Sequence, residues 1–349
     1  MKRRESRKVL AGNVAIGGNA PISVQSMLNF PAHDFENSVK QAIQLQNAGC
    51  DIIRAAVPDM KAVKLIEQLK MNLNIPVVAD IHFDYRLAIE CANAGVDKIR
   101  INPGNIGDDD RVRQVAKECK KYNIPIRVGV NSGSLEKEIL AKHGSPTAEA
   151  LFESGMYHIK LLEKYDFNDI VLSLKASDTK KMFEAYSYAA ENCDYPLHLG
   201  VTEAGTKKMG IMKSAAGIGG LLLSGIGDTI RVSLTDSPIE EVKAGIDLLK
   251  AVGERKDGIK FISCPTCGRT KIDLIGLAQK AEEMLEGVNK NITVAIMGCV
   301  VNGPGEAREA DIGIAGGEGC GLIFKKGEII KKVPENELLS ALFCEIEKM

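Results

Sequence analysis

The stretch Pro76-Val77-Val78-Ala79-Asp80-Ile81-His82, followed by Asn93-Ala94-Gly95 and then by Lys98-Ile99-Arg100-Ile101-Asn102, holds one whole repeat of the pattern that decides the fold. A short Pro-introduced run of Val, Ala and Ile reads as a buried strand. The next segment runs into Ala-Gly, the usual exit of a helix. A second β-branched run then begins. Strand, helix and strand in this order make a parallel βα unit.

Working outward, the same alternation recurs along most of the chain. Strands are expected at 22–27, 51–57, 76–81, 98–102, 125–130, 169–175, 196–203 and 229–235. Helical patterns fill the gaps, for example at 35–47, 61–69, 111–121 and 239–251. Eight such units fit an α/β fold of the (β/α)8 TIM barrel type, which typically takes about 250 residues. An open doubly wound sheet is disfavoured, because no G-x-G-x-x-G follows the first strand. The segment 132–165 is longer than a crossover needs and predicts an extra turn or helix beside the active-site face.

Gly253-Glu254-Arg255-Lys256-Asp257-Gly258 is polar and bounded by glycine, as a linker would be. Two domains are expected, 1–253 and 254–349. Beyond the linker the order changes to strand 259–263, helix 272–286, strands 293–297, 311–315, 321–326 and 328–333, and a final helix 335–348. This reads as a small α+β domain.

The chain has 349 residues, 45% hydrophobic and 26% charged, with a net charge of −1. That composition suits a full core and gives no overall attraction to nucleic acid or acidic membranes. Trp is absent and aromatics are 5%, so base-stacking platforms are scarce. The basic start, Lys2-Arg3-Arg4, precedes no long apolar run, and no segment is apolar over the roughly 18 residues of a membrane span. The expected location is cytoplasmic.

Four of the nine cysteines (Cys50, Cys91, Cys119 and Cys193) are scattered and read as reduced core residues. The other five lie in the C-terminal domain. Cys264-Pro265-Thr266-Cys267-Gly268 has C-x-x-C spacing on a turn, and Met297-Gly298-Cys299-Val300-Val301-Asn302-Gly303-Pro304-Gly305-Glu306 adds a third cysteine between glycines. Without a sign of export this pattern reads as metal binding. Spacing alone leaves the fourth ligand open between Cys320, Cys344 and Glu306. It also leaves open whether the metal is zinc or an iron–sulfur cluster.

Four of the expected strands carry arginine: Arg54, Arg100, Arg127 and Arg231. Strand side chains alternate faces. Arg100 therefore goes with Asn102, Arg127 with Gly129 and Asn131, Ser173 with Lys175, and Arg231 with Ser233 and Thr235. In a barrel these faces converge at the C-terminal mouth. Pairing with Asp80, Asp84, Glu203 or Asp236 would explain one such arginine. Four with matched parity, plus Lys175, point to a site for a phosphate or diphosphate, whose oxygens match guanidinium forks. Gln25-Ser26, His82, His198 and Thr202 also lie near strand ends. Glu203 falls just past one, where it could give or take a proton.

These residues resemble the 4-hydroxy-3-methylbut-2-enyl diphosphate synthase family of the non-mevalonate isoprenoid pathway, in its two-domain bacterial form. The likeness runs through Ser23-Val24-Gln25-Ser26-Met27, Ala79-Asp80-Ile81-His82-Phe83, Ile99-Arg100-Ile101-Asn102-Pro103-Gly104-Asn105, His198-Leu199-Gly200-Val201-Thr202-Glu203 and the two cysteine motifs. It implies a [4Fe–4S] cluster held by Cys264, Cys267, Cys299 and Glu306, with Cys320 outside the ligand set. It implies reductive opening of 2-C-methyl-D-erythritol 2,4-cyclodiphosphate, with two electrons from reduced flavodoxin or ferredoxin. Arg54, His82, Arg100, Asn102, Arg127, Asn131, Ser173, Lys175, Arg231 and Ser233 would hold the substrate, and Glu203 would serve as the catalytic acid. A head-to-tail homodimer is also implied. The competing expectations are a non-redox barrel lyase or transferase with a structural zinc knuckle, and a nucleic-acid module, which the balanced charge disfavours.

Overall fold

The structure is a computed structural model that describes residues 2–285, 287–288, 290–299 and 307–349. The chain falls into two compact units, Met1–Arg255 and Lys256–Met349.

The first unit begins with a hairpin, β1 (Val9–Ala11) and β2 (Val14–Ile16). Eight parallel strands follow: β3 (Ser23–Met27), β4 (Ile52–Ala56), β5 (Val77–Asp80), β6 (Lys98–Arg100), β7 (Ile126–Asn131), β8 (Ile170–Lys175), β9 (His198–Leu199) and β10 (Thr229–Ile230). Their order in the sheet is β8-β7-β6-β5-β4-β3-β10-β9. A single parallel bridge from Leu172 to Leu197 brings the two ends together, so the sheet is a nearly closed barrel. The α/β barrel read from the alternation is the fold present.

Most of the longer barrel helices begin where an acidic or hydroxyl side chain caps free N–H groups. Asp34 accepts from Asn37 N at the start of α1 (Phe35–Asn47), Asp59 serves the turn before α2 (Val63–Asn72), and Asp84 opens α3 (Tyr85–Asn93). Asp108, Thr147, Asp178 and Ser237 do the same for α4 (Asp109–Lys121), α6 (Ala148–Glu163), α7 (Thr179–Asn192) and α10 (Pro238–Ala251). Gly95 leaves α3 at φ +81°, a conformation costly for any other residue. The long 132–165 segment holds a short helix, α5 (Lys137–His143), before α6. After β9 comes α8 (Lys207–Ser214), then a π-helical turn (Ala215–Gly219) and α9 (Gly220–Leu223).

The hairpin is absent from the sequence reading. Its Val9, Ala11 and Ile16 pack with Ile52, Val78 and Val171. β8 is not a neighbour of β4 or β5, so these three strand residues meet only across the barrel interior. The hairpin therefore plugs one end of the barrel. Cys50, Cys91 and Cys119 are buried, and burial pushes the first two thiols up to about 12. Cys193 is half-buried.

The second unit is a five-stranded sheet in the order β11-β12-β13-β14-β15. The strands are β11 (Lys260–Ser263), β12 (Thr293–Met297), β13 (Ile312–Gly316), β14 (Cys320–Lys325) and β15 (Glu328–Pro334). The first three are parallel and the last two antiparallel. Helix α11 (Leu274–Leu285) and the C-terminal helix Leu338–Glu347 bury Leu274, Ala281, Leu338 and Leu342 against Val294, Ile296, Ile312 and Ile323.

Candidate active site

The barrel mouth holds a cavity of about 310 Å³ lined by Arg54, Arg100, Arg127, Gly129, Asn131, Ser173, Lys175, Thr202, Glu203, Ala204, Gly205, Arg231, Ser233, Leu234, Thr235 and Glu241. Strand register brings them together. Arg100 pairs with Arg127 across β6 and β7, Gly129 with Ser173, and Asn131 with Lys175 across β7 and β8. Gly129 leaves room for a neighbour: a Cβ there would meet Arg100 Nε at 3.0 Å. Arg100 donates from Nη2 to the Gly129 carbonyl at 2.9 Å.

Positive charge dominates. Arg54, Lys98, Arg100, Arg127, Lys175 and Arg231 share the barrel with three buried carboxylates, Asp80, Glu241 and Asp228, the last of which is held by Arg3 at 3.0 Å and by Leu197 N. Asp80 takes Arg54 at 2.9 Å and Arg100 at 3.5 Å. Burial alone would raise the Asp80 carboxyl, but Arg54, His82 and Arg100 outweigh it and hold it well below the usual range. Glu241 of α10 faces Arg231 at 3.4 Å and accepts from Leu234 N at 2.9 Å. Arg127 Nε and Nη1 are buried with no partner among the described residues. Burial, then the neighbouring cations, push Arg127 and Lys175 down.

Two expected contacts are absent from the cavity lining: Asn102, which is buried, and His82, which is exposed. Asn102 Oδ1 accepts from Gly129 N at 3.0 Å. His82 touches Arg100 at 3.2 Å through Nδ1 and Asp80 at 3.4 Å through Nε2. The regular parts of β9 and β10 are shorter than expected: past Leu199 and Ile230 the chain leaves the ladder. That departure puts Thr202, Glu203, Ser233 and Thr235 on the cavity rim. Glu203 is exposed, in left-handed backbone at φ +52°. A non-glycine residue there carries strain of a kind that gathers at functional sites.

Among the described residues, the first cysteine motif meets the Gly298-Cys299 start of the second at one edge of the second unit. β11 and β12 are parallel with Ser263 beside Ile296, so Cys264 and Cys299 both follow strand ends at that edge. Gly298 N donates to Cys264 Sγ at 3.2 Å, and Lys271 N donates to the Gly298 carbonyl at 3.1 Å. Cys267 is exposed. The Arg269 backbone N–H and side chain face its sulfur and lower its thiol. Among the described residues no group of three or more His, Cys, Asp or Glu is gathered closely enough to hold a metal ion. Glu306, the expected fourth ligand, lies outside the described residues, as do positions 300–305.

Lys98 and Glu241 are missing from the sequence reading. Lys98 has the parity of Arg100 and was open to the same rule; Glu241 reaches the cavity from a helix and leaves no such signal.

Residues 6–246 match the family model described as "GcpE TIM-barrel domain", and residues 260–348 match "GcpE protein C-terminal domain". A relative from Clostridium perfringens, named 4-hydroxy-3-methylbut-2-en-1-yl diphosphate synthase (flavodoxin), is 60% identical over 99% of this chain and 99% of its own. One of the same name from Geobacter sulfurreducens is 52% identical over 99% and 98%. Among solved structures, a Stenotrophomonas maltophilia dihydropteroate synthase is similar with TM-score 0.52 at 16% identity, covering 70% of this chain and 97% of its own. A Yersinia pestis one gives 0.51 at 13%, covering 71% and 100%. At such identity these bear on the barrel fold alone. Both family models are matched in order, and the relatives are alike from end to end: the chain belongs to the GcpE family of 4-hydroxy-3-methylbut-2-en-1-yl diphosphate synthases.

Proposed function

We propose that this oxidoreductase opens the ring of 2-C-methyl-D-erythritol 2,4-cyclodiphosphate and releases a hydroxyl as water, giving 4-hydroxy-3-methylbut-2-enyl diphosphate. The observation that carries the reading is the barrel mouth, where cations outnumber buried carboxylates around a cavity of substrate size. Arg54, Arg100, Arg127, Lys175 and Arg231 bind the two phosphates, and Asn131, Ser173 and Ser233 add hydrogen bonds. Asn102 and His82 act indirectly, Asn102 through Gly129 and His82 through the Asp80–Arg100 pair. Glu203 on the rim holds the proton that the departing hydroxyl needs.

The second unit fits an iron–sulfur cluster by its donors. Two cysteines leave adjacent parallel strand ends, a backbone N–H already points at the Cys264 sulfur, and the Cys267 thiol is held toward the thiolate. In this reading Cys264, Cys267, Cys299 and Glu306 hold a [4Fe–4S] cluster, and ligands of this kind are brought together by the metal itself. When bound, the cluster supplies two electrons, one at a time. Reduced flavodoxin, named in the relatives' activity, or a ferredoxin is the donor. A head-to-tail homodimer and a cytoplasmic location belong to the same reading. No helix among the described residues is long and apolar enough to cross a membrane.

The test is the metal content of anaerobically purified protein. About four irons and four acid-labile sulfides per chain, with a brown colour, support the reading. One zinc and no sulfide would replace it with the barrel lyase, which the relatives' names do not favour.

A further inference from the structure

Below the cavity the barrel interior stays charged. Lys98 lies two residues before Arg100 on the same face of β6, fully enclosed, and its Nζ has no hydrogen-bond partner among the described residues. The groups that act on it are cations. Arg127 comes from β7 and Arg54 from β4. His198 on β9 is equally enclosed, with neither ring nitrogen partnered. The strand paired beside Lys98, β5, offers Val78 at that level. Asp80, next up that strand, is engaged by Arg54 and Arg100. β3 contributes the uncharged Gln25, and Lys175 of β8 and Arg231 of β10 only add positive charge. Glu241 is taken by Arg231.

An ammonium in this place would be a buried cation with no acceptor and no counter-charge, among other cations. We propose that Lys98 is an uncharged amine in the free protein and becomes an ammonium when the pocket above it takes a divalent oxyanion, so that anion binding carries a proton into the barrel core. Burial first, then Arg127 and Arg54, already push Lys98 well below its ordinary value. Negative charge at the mouth offsets the arginine field, and the coupling is reciprocal: what helps the proton bind helps the anion bind. The proton comes from a buffer acid and adds to the Nζ lone pair, with no other bond changed.

This inference rests on the anion pocket proposed above, and inorganic sulfate tests the two apart. Sulfate has no proton to lose near neutral pH, so any proton taken up enters the protein. Sulfate is titrated calorimetrically into the intact protein at mildly alkaline pH, in two buffers of different ionisation enthalpy. The wild type should take up about one proton per chain more than Lys98→Met at saturation. Should the methionine variant not fold, Lys98→Gln, also neutral, is expected to show the same loss. Equal uptake in wild type and variant would overturn the inference and move the proton to a group such as Lys175. Sulfate that binds with no uptake would overturn it while leaving the anion pocket standing. No sulfate binding at all would overturn both.

Discussion

Asp80→Asn removes the charge that Arg54 and Arg100 share and leaves the shape almost unchanged. Asp80 is 2% exposed, with Arg54 at 2.9 Å and Arg100 at 3.5 Å. Breaking a buried ion pair costs about 3–5 kcal/mol. Both arginines line an open cavity that water reaches, so the lower end, about 3 kcal/mol, applies here. At about 2–4 °C per kcal/mol for a unit of this size, Tm should fall by about 6–12 °C. Thermal unfolding followed by circular dichroism reads this directly. Sulfate should recover more stability in the variant than in the wild type, because it replaces the missing charge. At a hundredfold excess over Kd, binding returns about 2.7 kcal/mol. The pH dependence follows from the depressed carboxyl. The pairing contributes fully above the unfolded value near 3.9 and is lost as pH falls toward the lower folded value. The gap between wild type and variant should thus be full at neutral pH and close on acidification below about pH 4. An unchanged Tm at neutral pH, or equal rescue by sulfate in both proteins, would refute the reasoning.

Arg231→Ala should weaken sulfate and substrate binding about ten- to hundredfold, the loss of one charged hydrogen bond, read as Kd by calorimetry. Glu203→Gln should keep substrate binding and lose most turnover; full kcat would remove Glu203 from the chemistry. Glu203→Gly should also lose turnover, yet unfold at the same or a higher temperature, since the φ of +52° costs other residues about 1–2 kcal/mol. Gly104→Ala would place a Cβ 2.8 Å from His158 Cε1, and the clash should cost about 1–3 kcal/mol in a denaturant titration.

Much of the barrel was legible because its strands are short, Val/Ile-rich and punctuated by Pro, and its helices run into Ala-Gly exits. Parity alone placed Arg100, Arg127 and Arg231 on one cavity, since a period of two leaves no choice of face. The hairpin at Val9–Ala11 and Val14–Ile16 escaped because three-residue strands are too short to show alternation. The ends of β9 and β10 were overrun because Val201 and Val232 continue the apolar pattern after the ladder has stopped. Glu241 could not be found, as its helix shows an ordinary amphipathic repeat and only the tertiary fold brings it to Arg231. At the cysteine edge the spacing pointed to a metal, but the bond from Gly298 N to Cys264 Sγ depends on the register of β11 against β12.

The most direct measurement is turnover. Anaerobically prepared protein is mixed with reduced flavodoxin and 2-C-methyl-D-erythritol 2,4-cyclodiphosphate, and the products are read by mass spectrometry. The account predicts 4-hydroxy-3-methylbut-2-enyl diphosphate, formed only when the reductant is present and nearly absent with Glu203→Gln. Protein with its full iron and sulfide that binds the cyclodiphosphate and leaves it unchanged under reducing conditions would contradict it.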